Sequence, residues 1–241
     1  MKLPKRAAEW SYYVEKYLFP LYFSFISAKS AYNIWKNGWW EKFIWYWGRD
    51  WRQALSASYN LSSETLLIIF NVMVGVFLVM AKKPERPPER PRDILVPFAA
   101  TFFYVAYGVL PPFFPALLLE NPFPVSARGT FVIASWLLML AGLALNIFSL
   151  YHLRRSFAVF VQVKKVVFSG PYAFIRHPMY TSHLLMAAGL VLYFFSPAIF
   201  AIWIAHAALL AYRARLEEEA IAAHDPGYRG HMARTGFLVP L

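Results

Sequence analysis

The 241-residue chain contains no cysteine, which excludes a disulfide framework, a thiolate metal site and a cysteine nucleophile. Charge is also scarce. Only 15% of the residues are Asp, Glu, Lys or Arg, where a soluble domain of this size carries about 25%. Acidic side chains are the rarer sign, 13 against 24 basic ones, for a net charge of +11. The six histidines show no metal-ligand spacing, so no metal site is expected. A phosphate-binding glycine-rich loop, a nucleophilic-serine motif and an internal repeat are all missing. After Met1-Lys2-Leu3-Pro4-Lys5-Arg6 comes neither a clean apolar core nor a small-residue cleavage site, so no secretory signal peptide is expected.

Apolar side chains fill the place of the missing charge. The chain is 59% hydrophobic and 19% aromatic, with a mean hydropathy of +0.41. Several apolar stretches reach the roughly 20 residues that cross a bilayer. The expectation is an all-α, polytopic transmembrane bundle with spans near 17–35, 64–81, 94–119, 129–151, 179–195 and 198–212. Without the first of these the count falls to five. Between 35 and 51 lie six of the nine tryptophans, interleaved with Lys36, Lys42 and Arg49, which suits the head-group level of a membrane. Three regions follow: 1–63 with the first span and the Trp-rich segment, 64–151 as the transmembrane core, and 152–241 as a region carrying chemistry.

Basic residues set the orientation. They gather in the 82–93 linker, in the 152–178 connection and in the C-terminal tail. By the positive-inside rule these face the cytoplasm, with the C-terminus and the candidate site. In a membrane protein such charge controls topology and attracts anionic lipid, so membrane lipid is the expected partner and nucleic acid is not.

The most informative stretch is Ser169-Gly170-Pro171-Tyr172-Ala173-Phe174-Ile175-Arg176-His177-Pro178-Met179-Tyr180. Gly170-Pro171 reads as a turn, and Pro178 suits the first position of a new helix. The free N–H groups of that helix, beside Arg176 and His177, would form a small anion site at a membrane boundary. The next helix returns alongside and ends in Arg213-Ala214-Arg215-Leu216-Glu217-Glu218-Glu219, broken by Asp225-Pro226-Gly227. Arg213 with Glu217 and Arg215 with Glu219 are spaced to pair along that helix. Glu218 and Glu219 come to the depth of Arg176, His177 and Tyr180, so a zwitterionic amino-acid group could be held from both ends. His183, one turn after Tyr180, is a candidate to line the pocket. Residues 157–168 mix valine and phenylalanine with Gln162, Lys164 and Lys165, which suits a segment lying along the head groups as a partial lid.

From about residue 149 to the end, the chain resembles the isoprenylcysteine carboxyl methyltransferase family and its phospholipid methyltransferase relatives. The likeness rests on Arg154-Arg155-Ser156-Phe157, Gly170-Pro171-Tyr172, Arg176-His177-Pro178-Met179-Tyr180, Glu218-Glu219 and Asp225-Pro226-Gly227-Tyr228. His231 stands where the family pattern leads one to expect a second tyrosine. The resemblance implies a membrane-embedded enzyme using S-adenosylmethionine, with Tyr172, Arg176, His177, Tyr180, Glu218 and Glu219 as the cofactor-binding set. No catalytic residue follows directly; Arg176 and His183 are the candidates. The acceptor would be a lipophilic small molecule or a lipid-linked carboxylate, amine or thiol. Two other readings stay open. One is an NADPH-dependent membrane reductase of the sterol-reductase type, whose pattern would place Asn before the tyrosine and Gly-Glu after it. The other is a non-catalytic membrane protein that uses the hairpin for packing.

Overall fold

The computed structural model describes residues 2–103, 106–107, 125–194 and 196–241. The helices are α1 (Lys5–Tyr13), α2 (Phe19–Asn37), α3 (Trp39–Tyr46), α4 (Trp51–Met80), α5 (Arg92–Phe102), α6 (Val125–Leu153), α7 (Pro178–Phe194), α8 (Pro197–His224) and α9 (Tyr228–Met232). A π-helical turn, Val14–Leu18, joins α1 to α2. Among the described residues there is no strand, only isolated bridges at Arg86–Val163 and Ile175–Gly236.

Three of these helices are long and apolar enough to cross a membrane: Gln53–Met80, Thr130–Ser156 and Pro197–His224. They cover the spans expected near 64–81, 129–151 and 198–212. Most of the span expected at 94–119 lies outside the described residues. The α4 helix begins at Trp51, well before residue 64, so the boundary expected at residue 63 falls inside one helix. Its early polar residues do not end it, because Ser58, Ser62 and Thr65 return their hydroxyls to carbonyls one turn back.

Neighbouring helices run antiparallel. Asn33 Nδ2 donates to Glu64 Oε1 at 3.0 Å, while Pro20 lies against Gly75, which pairs α2 with α4. Helices α6 and α7 pack closest. A Cβ added at Gly142 would sit 2.8 Å from the Ser182 carbonyl, and one at Gly189 would sit 2.8 Å from the Ser135 carbonyl. The Ser135 hydroxyl donates to the Gly189 carbonyl at 2.7 Å. With little hydrophobic drive between helices in lipid, such small residues let backbones meet. Helix α8 starts at Pro197 with Ser196 as its cap, whose Oγ accepts the Ile199 amide at 3.1 Å. Its 28 residues extend about 42 Å, more than the roughly 30 Å hydrocarbon layer, so its last turns leave the membrane.

The core gathers at that end of the bundle. Phe19 and Phe23 of α2, Val74 and Leu78 of α4, Leu150 of α6, Tyr180 of α7 and Leu210 of α8 form one cluster with Phe157, Val159 and Phe160. The last three belong to an irregular strap, residues 157–167. The proline-rich 82–93 linker runs beside it. The Val161 amide donates to the Asp93 carbonyl at 2.9 Å, and Val163 and Arg86 exchange both backbone bonds. At the Trp-rich segment, Trp35, Trp40, Trp45, Trp47 and Trp51 are exposed. Lys42 covers the Trp39 ring and Arg49 the Trp45 ring.

Candidate active site

Gly170 opens the site with a left-handed φ of 62°, and a Cβ there would meet the His152 ring at 2.4 Å. Both the turn and the close approach therefore require glycine. A 3-10 turn (Gly170–Ala173) buries Pro171 and Tyr172. The C-terminal tail then returns along residues 174–177. The Arg176 amide donates to the Gly236 carbonyl at 2.8 Å, the His177 amide to Phe237 at 3.3 Å, and the Gly236 amide to Phe174 at 3.0 Å. The first turn of α7 binds the tail as well, through the Thr181 hydroxyl donating to the Leu238 carbonyl.

Opposite this loop, α8 turns its three consecutive glutamates to three different faces, since each residue advances about 100°. Glu217 accepts from the Tyr180 hydroxyl and from Arg213 Nε at 3.1 Å, and His177 Nδ1 lies 3.8 Å from it. Glu218 is buried, with Arg176 Nε at 2.6 Å and His177 Nε2 at 3.1 Å. Glu219 is exposed and pairs with Arg92 of α5 at 3.0 Å. The expected Arg213–Glu217 pair forms. The partner expected for Glu219 was Arg215, but its bond is to Arg92.

Arg176 also donates to the carbonyls of Met232 and Thr235, so it ties the tail to the loop as well as to α8. The amides of the first α7 turn are partly used locally, those of Tyr180 and Thr181 by the His177 carbonyl. His177 stacks on Tyr180 with ring centroids 5.3 Å apart and meets the Phe237 ring edge-on. Buried Arg213 reaches three elements: Thr101 Oγ1 at 3.0 Å, the Val159 carbonyl at 2.7 Å and Glu217, with its guanidinium over the Tyr180 ring.

These groups enclose a cavity of about 190 Å³. Its polar end carries Tyr172, Arg176, His177, Tyr180, Arg213 and Glu217, with Tyr228 and His231 at the same end. Toward the bundle the lining becomes Phe23, Phe70, Val74 and Met179, and the strap forms one wall. His183 lines it too, against the edge of Phe70 at 5.9 Å. Of the expected site residues, Tyr172, Arg176, His177, Tyr180 and His183 meet at the cavity. Glu218 stands behind them as the partner of Arg176 and His177, and Glu219 faces outward. Glu217 is a cavity group that the sequence does not single out: its spacing from Arg213 predicts their pairing but not the face on which they lie.

Burial and the nearby Glu217 carboxylate hold the Tyr172 hydroxyl well above its ordinary range. Burial does the same for Tyr228, so both are neutral donors at physiological pH. His231 is pushed down by burial and by Arg176 and Arg234. Among the described residues no group of three or more His, Asp or Glu is placed to hold a metal ion. A carboxylate, guanidinium groups and aromatic rings around one cavity suit a ligand with an ammonium, a carboxylate and a sulfonium.

Residues 130–224 match the phospholipid methyltransferase family. This segment runs from α6 to the end of α8 and includes the loop that carries Arg176 and His177. No curated protein matches the chain.

Proposed function

We propose, on the premise that residues 130–224 are a phospholipid methyltransferase domain of the isoprenylcysteine methyltransferase-like membrane family, that the protein transfers a methyl group from S-adenosylmethionine to a lipophilic acceptor. The observation that carries this reading is the continuity of the cavity. One cavity is lined both by the charged and aromatic Tyr180, Arg176 and Glu217 and by the apolar Phe23, Phe70 and Val74. The first would suit the zwitterionic group of the cofactor and the second a lipid-linked acceptor.

The cofactor would supply an activated methyl group on a positively charged sulfur. The chain's own task is to hold two reactants in line. Glu217 is placed for an ammonium group. Arg176, held by Glu218 and two tail carbonyls, would take a carboxylate, and the Tyr172 ring would face the sulfonium. A carboxylate or thiolate acceptor needs no base. An amine acceptor must lose a proton, and His183 and His177, which line the cavity, are the candidates to take it. The strap, with Phe157 and Val159 buried, would keep bulk water from the reacting centre. We place this end of the bundle in the cytoplasm, as the basic linker and tail indicate, and read the chain as multi-pass with about six spans.

Titration calorimetry on the purified full chain tests the reading. S-adenosylhomocysteine should bind, and labelled methyl groups should then pass from S-adenosylmethionine into a lipid extract. Binding of NADPH with none of S-adenosylhomocysteine would overturn it in favour of a reductase.

A further inference from the structure

Glu15 belongs to the π-helical turn between α1 and α2, far in sequence from the matched segment, and only 2% of it is exposed. Its carboxylate is spent on the strap. Oε1 accepts the Val159 amide at 2.9 Å and the neighbouring Phe160 amide, and Oε2 accepts Gln162 Nε2 at 2.5 Å. Next to this grip, Lys164 Nζ donates to the Phe157 carbonyl at 2.6 Å. Arg213 holds Val159 from the opposite side through its carbonyl. One peptide is thus fastened at its N–H to the N-terminal segment and at its C=O to α8. Strap residues from Phe157 to Val167 wall the cavity, and among the described residues the one bridge to this stretch is at Val163. Gln162 lines that wall, and its Oε1 is buried without a hydrogen-bond partner.

We propose that Glu15 is a positioning residue for this site: its carboxyl docks the strap onto the cavity and thereby sets Val159, Gln162 and, through Val159, the Arg213–Glu217 pair. The docking follows from these contacts; its effect on cofactor and acceptor rests on the methyltransferase reading above. Burial pushes the Glu15 carboxyl up to about 7, against the opposing pull of Lys164 and of its three donors. The charged groups that act on it are Lys164 on the strap and Arg213 on α8, while Lys16, beside it in the turn, acts on Lys164. When the strap lifts, water reaches the carboxyl and its affinity for a proton falls. Docking is therefore strongest with Glu15 protonated and weakens as the pH rises toward 7. Gln162 can serve both forms. Its amide donates to the carboxylate as seen, and after a flip its Oε1 accepts the carboxyl proton.

Because the chain lacks cysteine, a nitroxide on Lys165→Cys, an exposed strap position, reports on this segment alone. In the full-length protein the mobile fraction should rise up to about tenfold per pH unit between pH 5 and 7 and level off above. Glu15→Gln, nearly isosteric, should make it independent of pH. Glu15→Ala should leave the label mobile throughout and weaken S-adenosylhomocysteine binding about tenfold. A Glu15→Gln profile that titrates like wild type would overturn the proposal, and it decides the matter even where Glu15→Ala does not fold. So would a freed strap with unchanged S-adenosylhomocysteine affinity. If the wild-type protein binds no S-adenosylhomocysteine, the methyltransferase reading fails while the label still judges the docking.

Discussion

Three adjacent glutamates in α8 have three different fates, and the difference can be measured. Glu217 faces the cavity among Tyr180, Arg213 and His177, so Glu217→Ala should weaken S-adenosylhomocysteine binding by about ten- to a hundredfold, equivalent to about 1.5–3 kcal/mol. Glu219 is exposed and pairs with Arg92, and an exposed pair contributes less than about 1 kcal/mol. Calorimetry on Glu219→Ala should return the wild-type affinity. A loss equal to that of Glu217→Ala would place the cofactor on the outer face of α8. Arg176 joins Glu218 to two tail carbonyls, so Arg176→Ala should lower affinity and also loosen residues 228–238. Limited proteolysis of that variant should cut the tail faster than in wild type.

At the scale of elements, the hairpin that presents the site rests on the α6–α7 contact. Gly142→Leu would force side-chain atoms into the Ser182 carbonyl and the Met186 stem, and overpacking of this kind costs about 1–3 kcal/mol. A lower melting temperature in detergent is the expected outcome, with weaker S-adenosylhomocysteine binding because α7 carries Tyr180. An unchanged melting temperature would mean that the two helices can separate freely. The strap behaves differently from a head-group segment alone. Phe157, Val159, Phe160, Val161 and Val163 are buried, the strap backbone is tied to the 82–93 linker, and Gln162, Lys164 and Lys165 line the cavity.

Across the whole molecule, Glu15 links the N-terminal third to the matched segment, and its titration should appear in global stability. The folded-state value of about 7 lies above the ordinary 4.5. Its contribution is therefore complete below about pH 4.5 and lost as the pH rises through 7. Wild-type melting temperature should fall between pH 5 and 7 relative to Glu15→Gln, with the two curves parallel above that window. A difference that is flat across the window would mean that Glu15 ionises alike in the folded and unfolded chain.

Composition alone determined that the protein is a membrane protein, because 59% hydrophobic residues with 15% charge leave no soluble way to bury the chain. Local pattern determined the loop–helix start at Gly170-Pro171 and Pro178, and the break at Asp225-Pro226-Gly227, since turn and cap chemistry acts over a few residues. It also brought Tyr172, Arg176, His177 and Tyr180 into one group. Which glutamate faces the cavity could not be read this way. Adjacent helix positions differ by rotation, and the rotation of α8 is decided by what Arg213 and Arg92 can reach. Nor could the partner of Glu15 be read, because its bonds close over more than 140 residues. An acid beside a lysine in an aromatic segment carries no sign of which backbone amides will meet it. Only the packing of α2 and α4 against the strap placed those donors, and with them the wall of the cavity.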